Sequence, residues 1–125
     1  MKRFLLATML IGLSIPYASA ASKFKGFWMG ECEAKNLIGD GFLYVNDKGT
    51  GDMAFKDEKM IIKGKITLND DNNFHIVPVT SSFDPEIVYS IHGHVKLLDD
   101  DMGMYGKVMK DGKHITDVSC AMSRV

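Results

Sequence analysis

The sequence predicts an all-β protein, an eight-stranded antiparallel meander closed into a small barrel, on three observations. From residue 24 onward apolar and polar residues alternate with period two between short polar turn clusters, and no stretch carries a helical stripe. The connections between these stretches are too short for crossovers, so successive strands must be antiparallel. Two cysteines, Cys32 and Cys120, fall in the first and last strands, and bridging them brings the two edges of the sheet together.

The chain opens MKRFLLATMLIGLSIPYASA, with Lys2 and Arg3 ahead of an apolar run from Phe4 to Ile15, then Pro16 and the small-residue triplet Ala18-Ser19-Ala20. This is the pattern of a secretory signal peptide of bacterial form. The expected organisation is a signal peptide over residues 1–20 and a single domain over residues 21–125, exported to the periplasm or secreted. The apolar run falls short of the roughly 20 residues that span a bilayer, so no membrane span is expected. Without Lys2 and Arg3 the 15 basic side chains become 13 against 16 acidic ones, a net charge of −3. That balance gives no reason to expect nucleic acid as a partner and mildly favours cations or basic proteins. A chain of 105 residues holds one core of modest size, and a monomer is expected.

The strands follow in order. The first, residues 24–34, carries the single tryptophan, Trp28, and Cys32. The second, 41–46, is apolar throughout from Phe42 to Val45, which leaves its faces undecided, and ends in the turn Asn46-Asp47-Lys48-Gly49. The third, 51–56, stops at Asp57-Glu58. In the fourth, 59–68, Met60, Ile62, Gly64, Ile66 and Leu68 share one side while Lys63 and Lys65 face the other. The fifth, 73–79, lies between the polar clusters at Asn69 to Asn72 and Ser81 to Pro85. The sixth, 86–97, puts Ile87, Tyr89, Ile91, Gly93, Val95 and Leu97 on the core side, with Ser90, His92, His94 and Lys96 opposite. The seventh, 102–109, follows the acidic turn Leu98 to Asp101. The eighth, 114–124, follows Asp111-Gly112, and a one-residue bulge is expected after that turn. With the bulge Val118, Cys120 and Met122 face the core; without it an unpaired Asp117 would be buried at high cost.

In an exported chain Cys32 and Cys120 are expected to form a disulfide. It closes a loop of 89 residues, for which chain entropy gives about 4 to 5 kcal/mol. If Cys32 faces Cys120 in an antiparallel pair, opposed positions sum to 152, and Trp28 stands opposite Arg124, the only arginine after the signal peptide. Gly26-Phe27-Trp28 at the start of the first strand, with Arg124 of the last strand across the indole, resembles the signature of the calycins, the lipocalin and avidin-like barrels. That resemblance implies a barrel with one end plugged by Trp28 and Arg124, the guanidinium stacked on the indole. The chain departs from the family in being short, in lacking the Thr-Asp-Tyr motif and C-terminal helix of lipocalins, and in lacking the further tryptophans of a biotin site.

Three surfaces could carry function. An eight-stranded barrel is just wide enough to be filled by side chains or to hold one small ligand. Gly64, Gly93 and Gly106 on the core face either permit tight coiling or leave space beside Ile62, Tyr89, Ile91, Met102 and Met104, and these eight are the expected ligand-binding residues. The four-residue turn Leu98 to Asp101 sets Leu97 opposite Met102, hence His94 opposite Tyr105 and His92 opposite Lys107 on the outer face. His75 shares that face, so His75, His92 and His94 are candidate metal ligands, against which the neighbouring Lys107 cation argues. Alternate connections of a meander emerge at one end, so Asp47, Asp70, Asp71, Asp99, Asp100 and Asp101 form an expected partner rim for a basic protein. Signatures of hydrolases, zinc proteases and phosphate-cradling loops are missing, and Ser81 and Ser82 have no identifiable base, so no catalysis and no cofactor are expected. The expected function is an exported non-enzymatic barrel holding a small apolar ligand. The alternatives are a filled barrel whose loops inhibit a basic secreted enzyme such as a lysozyme, and a metal-binding surface protein.

Overall fold

The computed structural model of the chain describes residues 23–125, and the signal peptide read at residues 1–20 lies outside the described residues. Eight strands follow one another: β1 (Gly26–Ala34), β2 (Leu37–Val45), β3 (Thr50–Lys56), β4 (Ile61–Leu68), β5 (Asn73–Ser81), β6 (Tyr89–Leu98), β7 (Asp101–Lys110) and β8 (Lys113–Arg124). Each pairs antiparallel with its sequence neighbours, and β1 pairs with β8, so the sheet is a closed barrel. Closure follows the cysteines. Cys32 opposes Cys120, Trp28 opposes Arg124, and the Cys32–Cys120 disulfide is formed. The expected register between β6 and β7 is also found, with Gly93 opposite Gly106, His94 opposite Tyr105 and His92 opposite Lys107.

Side-chain and backbone chemistry sets the turns. The Asn46 amide oxygen accepts from the N–H groups of Lys48 and Thr50 at 2.9 and 3.1 Å, and Asn69 repeats the device on Asp71 and Asn73 at 3.0 and 3.1 Å. An asparagine that captures backbone donors two and four residues on nucleates a tight reversal without help from the sheet. Asp57 does the same for Lys59 and Met60, both at 2.8 Å, so β4 starts at Ile61 and not at residue 59. The β7–β8 hairpin carries a register shift at Val108/Met109, which turns Val118, Cys120 and Met122 inward and leaves Asp117 exposed.

Two strand starts differ from those expected by three residues or more. β2 begins at Leu37 because a two-residue turn with Lys35 in the left-handed region carries the pairing of β1 through Ala34 opposite Leu37. Gly39 and Asp40, which read as loop residues, are thereby held between β1 and β3. β6 begins at Tyr89, since residues 82–88 form the longest connection. The ladder shifts register between Gly64 and Ile66 and again between Ile76 and Val79, either side of Pro78, which has no N–H to contribute.

The core is densest at the end where β1 begins and β8 finishes. Phe24, Trp28, Val45, Ile66 and Met102 are sealed there, and no polar or charged residue is buried among the described residues. The outward positions of the same strands carry Glu31, Lys63, Lys65, His92, Lys96 and Lys107. The barrel is thus apolar within and largely polar without, the reverse of the polarity a lipid-embedded barrel requires. One part of the wall departs from this pattern, where Phe27, Met29, Phe42 and Tyr44 face outward on β1 and β2, the first and last with ring centroids 4.8 Å apart.

Candidate functional site: the barrel interior

One end of the barrel is closed by a small polar lock over an indole. Trp28 is fully buried, and its Nε1–H donates to the Phe24 carbonyl at 2.9 Å. The Arg124 guanidinium carbon lies 4.2 Å from the centre of that ring. Its Nη groups donate to the carbonyls of Lys23, at 3.0 Å, and Lys25, while Nε–H donates to Asp100 Oδ1 at 3.0 Å. A planar cation with five donors suits this place, because it stacks and ties down two stretches of chain at once.

Away from the plug the interior is not filled. A cavity of about 430 Å³ occupies the half of the barrel where β1 ends and β2 begins. Its wall draws on Ile62, Tyr89, Ile91, Met104, Val118 and Met122, and on residues not singled out from sequence, notably Met53, Phe55, Phe74, Val79 and Val108. Alternation marks these as inward positions; which half of the barrel they occupy depends on tilt and register, which no single strand reveals. Thr80, Ser81, Asp84 and Thr116 are the polar contributors to its wall. The Ser81 hydroxyl is already engaged, donating towards Met60 Sδ at 3.5 Å and accepting from Phe83 N–H at 3.1 Å.

Of the expected ligand residues, Ile62, Tyr89, Ile91 and Met104 line this cavity, and four others do not. Met102 is packed into the plugged end. A Cβ at Gly93 would lie 1.9 Å from the Tyr105 carbonyl oxygen, so this glycine lets the backbones of β6 and β7 approach closely. The space beside Gly64 is taken by Ile76, whose Cγ2 would be 2.3 Å from an added Cβ, and that beside Gly106 by Phe74 and Ile91 at 3.0 Å. Glycine thus shapes the wall, and the hollow comes from elsewhere.

His75, His92 and His94 border one shallow depression on the outer wall. His75 and His92 are cross-strand partners, but His94 stacks on Tyr105 with centroids 5.4 Å apart, and Lys107 stands opposite His92. Among the described residues no three His, Cys, Asp or Glu side chains are gathered as metal ligands. The acidic turns do share one end, since the β2–β3, β4–β5 and β6–β7 connections all emerge beside the plug. Two of their carboxylates are committed within the chain, Asp100 to Arg124 and Asp101 to the Ser123 hydroxyl at 2.8 Å. Asp47, Asp70, Asp71 and Asp99 complete that rim, with Lys48 among them.

Fold and site together define a small closed β-barrel, plugged at one end and hollow towards the other. No known protein-family model matches the chain, and no curated protein matches it in sequence. Among the described residues no helix is long and apolar enough to cross a membrane.

Proposed function

We propose that the protein is an exported, non-enzymatic binding protein of calycin type that holds one small apolar molecule inside the barrel, taken up at the end away from the Trp28/Arg124 plug. The observation that carries this reading is the cavity of about 430 Å³ in a barrel whose described core holds no buried polar or charged residue. Its volume falls in the roughly 300 to 1,000 Å³ range of small-molecule sites. A wall of this kind, apolar but for Thr80, Ser81, Asp84 and Thr116, rewards the release of apolar surface from water far more than it compensates an ion for lost hydration. The methionines Met53, Met60, Met104 and Met122 in that wall favour an adaptable fit over a single rigid shape. The stacked Trp28/Arg124 pair supports the calycin reading, and the disulfide, together with the leader-like residues 1–20, supports export.

Native mass spectrometry of the protein purified from its own host tests the proposal. An adduct of a few hundred daltons that is displaced by a fluorescent apolar probe is the expected result. A bare chain that binds no such probe would refute it and would return weight to contacts made by the loops.

A further inference from the structure

We infer that the open end of the barrel is a docking surface for a zwitterionic phospholipid layer, from which the apolar ligand enters the cavity; the inference rests on reading the interior as an apolar ligand site. The rim of that end is unusually apolar. Leu37, Phe83 and Ile115 come from three different connections or strand ends, line the cavity, and are exposed at the same time. Ile38, Ile61 and Val88 stand exposed around them. Phe83 is the extreme case, 82% exposed on the longest connection, residues 82–88. Its turn is tied to the rim, since Ser82 N–H donates to the Ile61 carbonyl and the Ser82 hydroxyl accepts from Ile61 N–H, both at 2.9 Å. The phenyl ring is therefore presented outward by a braced turn.

Three features select the partner. First, Phe83 both lines the cavity and stands exposed at its mouth, so it joins the apolar wall to the outer surface and shortens the exposure to water of an apolar molecule crossing from a lipid layer. Second, the residues come from the ends of β2, β4 and β8 and from the 82–88 connection around an opening, and the closed barrel offers no free sheet edge to a partner strand. Third, Lys35 and Lys59 of these turns, with Lys56, Lys110 and Lys113 at the adjoining strand ends, stand against the five carboxylates Asp57, Glu58, Asp84, Glu86 and Asp111, an even balance. Such a rim is neither drawn to nor repelled by a surface without net charge, whereas an anionic layer would call for a clear excess of lysine. The opposite end is unsuited to lipid: its exposed Leu98 is followed by Asp99, Asp100 and Asp101.

The test is flotation of the disulfide-bonded protein with phosphatidylcholine vesicles, at low and high salt, beside titration in solution with a fluorescent naphthylamine probe. The protein is expected to float with the vesicles at both salt concentrations. Ile38→Asp and Val88→Asp, at exposed rim positions that do not line the cavity, are each expected to reduce the floating fraction at least tenfold while leaving the melting temperature and probe affinity of the wild type intact. Because both side chains are largely exposed, folding should survive these changes. Probe binding without flotation would overturn the docking surface and leave the cavity reading standing. Flotation without probe binding would overturn the cavity reading and keep the docking surface. Flotation that requires anionic lipid and is reversed by salt, or that is unchanged in both variants, would overturn the docking surface.

Discussion

Replacing Arg124 isolates the plug from the rest of the barrel. In Arg124→Ala two backbone carbonyls, those of Lys23 and Lys25, lose a charged donor, and the Trp28 ring loses its cover. Because the Arg124 side chain is 27% exposed, water partly replaces the lost donors, and each bond is worth about 1 kcal/mol, below the roughly 1.5 to 3 kcal/mol of a charged hydrogen bond shielded from water. The stacked cation adds about 1 kcal/mol. The pair with Asp100, whose side chain is 80% exposed, adds little. The sum is about 3 kcal/mol, equivalent to a fall in Tm of roughly 12 to 24 °C for a domain of this size. Arg124→Lys keeps the charge but cannot fork or stack as a plane, so about half the loss is expected. Thermal unfolding followed by circular dichroism measures this, and acrylamide quenching of the single tryptophan gives an independent reading, since the indole becomes reachable in Arg124→Ala. Probe binding at the far end should persist. An Arg124→Ala protein that melts within about 3 °C of the wild type, with Trp28 still shielded, would refute the plug.

Three further outcomes are expected. The double change Cys32→Ala, Cys120→Ala opens a loop spanning a sequence separation of 88 and should cost about 4 kcal/mol in urea unfolding, because this bond closes the seam between β1 and β8. Val118→Trp projects an indole into the cavity opposite Gly106; probe affinity should fall at least tenfold with little change in Tm, whereas a loss of about 1 to 3 kcal/mol would mean that the interior is already packed. Asp57 is held below its ordinary value of 3.8, chiefly by the Lys59 N–H and then the Met60 N–H that its carboxylate accepts. With the folded pKa depressed, its stabilising contribution is present above the unfolded value and is lost as pH falls through the folded one. The gap in urea midpoint between wild type and Asp57→Asn should therefore narrow below about pH 4, and a gap independent of pH would contradict the assignment.

Much of the architecture was legible because alternation and turn chemistry are local. Ile62, Gly64, Ile66 and Leu68 against Lys63 and Lys65 define a face without knowledge of any other strand, and the asparagine turns at Asn46 and Asn69 carry their own hydrogen bonds. The bulge in the last hairpin could be placed since the alternative buried a carboxylate at Asp117. The candidate site was legible only in part. Ile62, Tyr89, Ile91 and Met104 line the cavity as expected, but Gly93 and Gly106 look identical in sequence whether the missing side chain makes room for a ligand or for a neighbouring backbone. Likewise three histidines of one face need a particular curvature to meet at one ion, and His94 stacks on Tyr105. Phe83 gave no signal at all, because an aromatic residue in a polar connection carries no periodicity.

The sequence by itself determined the strand number, the antiparallel order, the inward faces and, through Cys32 and Cys120, the register at which the barrel closes. Each follows from a period of two, a short turn or a covalent distance. Only the tertiary structure decided that the plugged half is solid and the other half hollow, that glycine space at positions 64, 93 and 106 is taken up by neighbours, and that Phe83 stands at the open mouth. Those outcomes depend on how tilt and coiling bring distant side chains to one level of the barrel, a sum over all eight strands that no one strand contains.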